Sequence, residues 1–453
     1  MIRTGFLALC GTAALLMQGC ASTPPPAGAA VTMTGAADRT IAAAPPAFAP
    51  AYEAADACEA EAVPTAPCLL AQTAAILEET PDAFAFASGA GELALAYDAH
   101  GQADAAAALI SRAIGRSDWI ADAGVRGRAL AEIAGTLADL QPHGLAPAWI
   151  DGIAARLPGL AETQAADIRA RLAAAHLAQV DAADGLAKTV ALPQGTDTEA
   201  GYKAVALRKA ANLLAKKGYF GEAAQAVDAL TMSIEYYRST VRSDLSSHAF
   251  QAGKTPLAAA WLAEAETIAR SLEDGYFRAG ALRDIAIVQI EMGNLGAAGT
   301  LIADARNAAA EAETPNEQAR ATSRIATRLA DAGQTGAVPA ILTDARSLAA
   351  AIESDMMKGY TAYELAGSAA FAGDIALAEA LAAAVPDTPL GSTSSLAAVT
   401  RRDRAWALAR QGDLTGGTAL ALQIHPARER VHALSRIIRL IADPDMAALP
   451  RYL

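Results

Sequence analysis

Apolar residues recur along this chain at helical spacing, and turns interrupt them about every 40 residues. In residues 278–308, Ala281, Leu282, Ile285, Ala286 and Ile290 mark one apolar face. Gly293-Asn294 breaks it, because both residues tolerate left-handed backbone. Ala298, Ile302 and Ala305 then mark the face of a second helix. The scheme recurs with Ile325, Ala326, Gly333 and Ala345, and again with Leu365, Ala366, Gly373 and Ala378. Turn centres fall at Gly101, Gln141, Asp181, Gly218, Gly253, Gly293, Gly333, Gly373 and Gly412. Five positions after most of them stands a small residue: Ala106, Ala146, Ala223, Ala258, Ala298, Ala378 or Gly417. Valine- and threonine-rich alternating runs are scarce, so no strands are expected. The pattern predicts an all-α chain, an α-solenoid of antiparallel helix pairs in about nine repeats of about 40 residues.

The order of these positions resembles tetratricopeptide (TPR) repeats. That family places a large apolar residue before a small one in its first helix. A Gly-type turn comes seven residues later, and an Ala five after the turn. Ile285-Ala286, Gly293 and Ala298 follow this order. Leu365-Ala366, Gly373, Ala378 do so too, as do Leu93-Ala94, Gly101, Ala106 and Ile133-Ala134, Gln141, Ala146. The small residues suit a close crossing of the paired helices, which larger side chains would push apart. The resemblance covers residues 85–440 and implies a right-handed solenoid. It departs from the family in its longer period, in Trp and Pro signatures that are mostly missing, and in an irregular unit around Asp181. HEAT-like repeats are the alternative at this period.

Composition adds two limits. The chain is 53% hydrophobic but only 5% aromatic, and alanine makes the difference, which favours helices that approach closely. The formal charge of −13 argues against general nucleic-acid binding, which needs a basic stripe.

The N-terminus reads as an address. Arg3 precedes an apolar run from Gly5 to Leu16, of signal-peptide length and too short to span a bilayer. Leu16-Met17-Gln18-Gly19-Cys20 resembles a bacterial lipobox, which implies a signal peptide over 1–19 and lipidation (palmitate among the acyl chains) at Cys20. Ala21 rather than Asp after the cysteine implies sorting to the outer membrane. An ordinary secretory signal cleaved elsewhere, or a short anchor left in place, is the alternative. Residues 20–50 are rich in Ala, Pro, Gly and Thr and read as a disordered tether, with a span of about 30 Å. Residues 51–84 form an N-terminal cap, and 441–453 a C-terminal tail. Cys58 and Cys68 are the only cysteines of the mature fold. In an oxidising compartment a disulfide between them is expected, worth roughly 2–3 kcal/mol; two free thiols are the alternative.

No catalytic constellation is recognisable. Six histidines include no close metal-binding pair, no P-loop occurs, and no G-x-S-x-G elbow is present. Hence no catalytic residue, metal ligand or cofactor is assigned. The resemblance instead points to the groove-facing positions of the first helices. They include Arg208, Asn212, Arg283, Tyr360, Tyr363, Arg402 and Trp406. Arginines and aromatics there suit an acidic peptide or carboxylate; ordinary packed or solvated residues, with Trp406 in the core, are the alternative. Tyr202, Tyr236-Tyr237, Tyr276-Phe277 and Met356-Met357 read as staples between repeats. The expected function is a non-enzymatic, periplasm-facing adaptor on the outer membrane that binds an envelope protein or peptide. Alternatives are a cell-wall-modifying enzyme and a glycan- or peptide-binding protein.

Overall fold

The computed structural model describes residues 63–230, 235–385 and 395–444. Cys20, the signal and the tether lie outside them, as does Cys58. The described chain is all-helical. Its helices are α1 (Ala66–Glu78), α2 (Ala83–Ala99), α3 (Ala103–Ser117), α4 (Ala123–Leu137) and α5 (Ala146–Ala154). There follow α6 (Glu162–Gln179), α7 (Ala182–Val190), α8 (Asp197–Lys216), α9 (Phe220–Asp228) and α10 (Glu235–Gln251). Next come α11 (Thr255–Ser271), α12 (Gly275–Glu291), α13 (Leu295–Ala310), α14 (Pro315–Asp331) and α15 (Val338–Ala349). The last are α16 (Asp355–Phe371), α17 (Ile375–Ala383), α18 (Leu396–Arg410), α19 (Leu414–Leu422) and α20 (Ala427–Ala442). No strand element occurs among the described residues.

The helix ends have identifiable chemical causes. Asp274, Thr314 and Ser354 recur at 40-residue steps, and each caps the helix after it with its side chain. At the other end, all seven glycines among the nine turn centres have positive φ, from 71° at Gly101 to 95° at Gly412. Each closes its helix in the same way. The Gly293 N–H donates to the Ile290 carbonyl, and the Asn294 N–H reaches back to Gln289 at 2.8 Å. Nothing lies within 4 Å of a Cβ built at Gly293, so backbone conformation alone demands glycine there. Gly293→Ala is therefore expected to cost about 1–2 kcal/mol, read as a lowered urea midpoint. Gly417 has the opposite reason. A Cβ there would lie 2.6 Å from the Ala405 carbonyl oxygen of α18, so glycine permits that close crossing.

Each even-numbered helix packs against the next even-numbered one, and each odd-numbered helix from α3 onward packs on the helix before it. The odd helices touch one another little. They therefore occupy the larger, outer circumference, and the even helices form an inner layer. Successive units are also tied end to end. Gln179 Nε2 donates to the Leu137 and Leu140 carbonyls, the Lys217 ammonium to Leu177 and Ala178, and Gln411 Nε2 to Ala370. These side chains satisfy carbonyls left open at the end of the preceding inner helix.

An array in which each unit meets only its neighbours along the chain does not account for the two ends. The last helix, α20, packs against both α1 and α2. α1 packs on α20 as each odd-numbered helix packs on the even-numbered helix before it, although it begins the described chain. Phe86, Leu93 and Ile110 near one end share an apolar cluster with Val431, Leu434 and Ile437 at the other. Burying each such side chain contributes about 1.5–3 kcal/mol. Gly89 allows the approach, since a Cβ there would sit 3.2 Å from Val431 Cγ1. The inner helices thus form a closed circuit of ten, α2 through α20 and back to α2. Cys68, on α1, is buried and disulfide-bonded.

Candidate binding surface on the inner helices

Charged side chains gather on the concave side of the inner layer. Three ion pairs locate that side, because each passes over an intervening inner helix. Lys209 of α8 reaches Asp139, just after α4, at 2.8 Å. Arg410 of α18 reaches Asp331 of α14 at 2.5 Å, and Arg428 of α20 reaches Glu132 of α4 at 3.0 Å. The outer helices cover the other side, so these links run across the concave face.

All seven residues expected in the groove lie on inner helices. Arg208 and Asn212 both donate to Asp244 Oδ2, at 3.3 and 3.2 Å. Arg283 donates to the adjacent Asp284 at 2.9 Å. The Tyr363 hydroxyl donates to Asp403 at 3.0 Å, and Tyr360 is half-buried on the same helix. Arg402 donates to Glu429 at 2.8 Å and to Asp403 at 3.2 Å. Trp406 is buried in the core, its ring 5.1 Å from that of Phe371. The arginines on this layer are thus paired within the protein. Sequence reading missed the carboxylates that pair them. Asp284 and Asp403 were visible as immediate neighbours of Arg283 and Arg402, but Glu429, 27 positions from Arg402, was not.

The aromatic residues ahead of the inner helices join one unit to the next. The Tyr236 ring lies 5.1 Å from that of Phe277, and Arg324 donates to the Tyr276 hydroxyl. Burial, then the charge of Asp284, pushes the Tyr236 phenol up to about 12. Met356, by contrast, is exposed.

Two buried carboxylate clusters hold the layer's charge. Glu364 on α16 accepts from Arg320 and Arg324 of α14, each at 2.9 Å. Burial pushes its pKa up, but Arg324 and Arg320 outweigh that and hold it down at about 2. The second cluster lies at the seam of the circuit. Glu429 is fully buried between Arg402 and Arg428, and His432 Nε2 lies 2.9 Å from the Ser88 hydroxyl. Burial holds the His432 imidazole well below its ordinary 6.5, against the charge of Glu92 and with that of Arg428.

Both clusters have a pH consequence. Unfolding releases His432 to bind a proton, so its share of stability is intact at neutral pH and lost as pH falls through about 6.5. Glu364 contributes above 4.5 and loses that contribution as pH falls toward 2. His432→Gln should flatten the decline of the thermal midpoint between about pH 7 and pH 5. The decline below about pH 4.5 should remain. An unchanged upper slope would exclude His432 as its source.

Among the described residues, no group of three or more His, Cys, Asp and Glu side chains is placed to hold a metal ion. A cleft of about 320 Å³ opens on α11, α12 and α13, where Arg270 pairs with Asp304 and Arg278 with Glu311. Among the described residues, no helix is long and apolar enough to cross a membrane. No protein-family model and no curated protein matches the chain.

Proposed function

We propose that this chain is a non-enzymatic binding scaffold of the bacterial envelope. Its TPR-like helical repeats, about nine on the right-handed solenoid reading, present their inner faces to a polypeptide partner. Lipid at Cys20 tethers it to the outer membrane on the periplasmic side. The observation that carries the reading is the closed layer of even-numbered helices. It sets half-buried tyrosines and arginines on one concave surface, held in place by carboxylates. Side chains fixed by second partners lose little entropy when a ligand arrives, which suits recognition. The disulfide at Cys68 supports an exported protein, because such bonds persist in oxidising compartments. The lipobox-like run ending at Cys20 supports the anchor.

The test is site-directed photo-cross-linking in intact envelopes. A photoreactive amino acid at Tyr360, on the inner layer, should capture a discrete polypeptide. The same group at Glu266, on an outer helix, should not. Capture from Glu266 alone would place recognition on the outer surface and refute the reading. Cys20→Ser should move the protein from the membrane to the soluble fraction. Continued outer-membrane fractionation would refute the anchor.

A further inference from the structure

We infer that one sector of the rim where the inner helices end lies against an anionic phospholipid surface. This deepens the anchored-scaffold reading and rests on it for the presence of a membrane. The inner helices start at one rim of the circuit and end at the other. Three exposed apolar residues stand where they end: Leu145 after α4, Val180 after α6 and Tyr219 after α8. Their turns adjoin. The His143 N–H donates to Gln179 beside Val180, and the Lys217 ammonium donates to the Ala178 carbonyl at 2.9 Å. Lys254, in the turn after α10, lies 5.5 Å over the ring of Phe220, next to Tyr219. Lys216, Lys217 and Lys254 are all exposed, so three of the chain's seven lysines gather beside one exposed tyrosine. Of the carboxylates nearby, Asp139 is paired with Lys209 and Asp184 with Lys188. Among the described residues the three lysines outnumber Asp181 and Glu222, the exposed carboxylates of those turns.

The chain that leads to Cys20 joins at this same rim. α1 ends beside the first half of α2, with Leu77 against position 89, so α1 begins at the level where α2 ends. Val63, just ahead of α1, is exposed there. Exposed apolar side chains also occur at the opposite rim, at Trp119 and Met356, so by themselves they decide nothing. Charge separates the two rims. Trp119 lies between Asp118 and Asp122 along the chain, and Met356 follows Glu353 and Asp355. The net charge of −13 does not forbid contact with an anionic leaflet. The 17-residue inner helix α12 is about 25 Å long. The screening length is about 8 Å at physiological salt, so the leaflet feels the near rim and not the far one. Lysines close to an anionic surface are attracted to it, and tyrosine and aliphatic side chains favour the headgroup boundary. Asp374 and Asp413 cap α17 and α19 on the remainder of the near rim, which confines the contact to the turns after α4, α6, α8 and α10. Docked in this way, the rim with the Asp82, Asp122 and Asp274 caps faces away from the membrane.

A few lysines and apolar side chains give weak, reversible binding that salt washes off, so the Cys20→Ser chain still fractionates as soluble. The test is flotation of that mature Cys20→Ser chain with phosphatidylcholine vesicles, with and without phosphatidylglycerol. The chain should float with the phosphatidylglycerol vesicles, less so as salt rises, and stay behind with phosphatidylcholine alone. Lys216→Glu/Lys254→Glu should bind at least about tenfold more weakly with an unchanged thermal midpoint. Val180→Ser/Tyr219→Ser should also bind more weakly, and Lys358→Glu, at the opposite rim, should bind like the parent. An environment-sensitive dye at Tyr219→Cys should shift to the blue on vesicles, and the same dye at Trp119→Cys should not. Equal flotation on both vesicles would overturn the inference, as would undiminished binding by the lysine variant or a shift at position 119 alone. So would a photoreactive residue at Tyr219 that captures a polypeptide in envelopes rather than lipid. Failure to float while Cys20 still governs fractionation would sink this rim alone. Flotation of a chain whose Cys20 does not govern fractionation would uphold the rim and refute the lipid anchor.

Discussion

Arg402→Met is expected to destabilise the protein by about 3 kcal/mol, among the largest effects of any single inner-layer substitution. Arg402 is the shared partner of Glu429, whose side chain is 0% exposed, and of Asp403, at 2%. Burial alone would lower its pKa; the two carboxylates reverse that and raise it. Removing the guanidinium leaves two negative charges in a poorly solvated seam, with Arg428 and Arg436 as partial compensation. Methionine keeps much of the apolar volume, so the loss reports charge rather than a cavity. Adding Glu429→Gln should recover part of it, because the second substitution removes the stranded charge. Urea midpoints of the two variants and the parent form the test. A double variant less stable than the single one would mean that Arg402 acts through packing instead.

Val431→Asp is expected to cost about 3–5 kcal/mol and to act on shape as well as stability. Val431 is fully buried between α20 and α2, in the apolar cluster that joins the two ends. A carboxylate there replaces an apolar side chain inside the cluster and must either stay desolvated or part the seam. Partial opening should appear as a larger radius of gyration by small-angle X-ray scattering, with helical circular dichroism nearly retained. The equivalent burden at Ile325, mid-array and also fully buried, should destabilise without separating the ends. Equal expansion in both variants would mean that the seam is not special.

The all-helical class could be read from the chain because its signals are local. Seven glycines at the turn centres demand left-handed backbone, and the small residues after the turns sit buried, such as Ala298 at 3% exposure and Ala378 at 0%. The N-caps at Asp274, Thr314 and Ser354 carry the same 40-residue rhythm. The groove candidates all fall on even-numbered helices, because their offset from a turn fixes the helix they lie on. Their pairing was less legible. Arg283 beside Asp284 is a sequence neighbour, but Arg402 with Glu429 joins different helices. The closure left no local signal at all. Ser88 and His432 meet across 344 positions, and Gly89 reads in sequence as a weak point of a helix. The close approach of Leu77 and of the opposing Val431 explains why that glycine is there.

The circuit's closure is the claim on which the concave surface and both seam predictions depend, and one bond tests it. A Cβ at position 89 would lie 3.6 Å from Val431 Cβ, within the range a disulfide requires. The Leu77 methyl that also approaches position 89 is the end of a flexible side chain and can turn aside. Gly89→Cys/Val431→Cys, made in a Cys20→Ser background and mildly oxidised, should form an intramolecular bond. It would be seen as a faster band on non-reducing gels and as a linked peptide pair by mass spectrometry. Near-complete linkage is expected in the monomer at low protein concentration. Free thiols at both positions, or bonds only between separate molecules, would mean that the circuit is open.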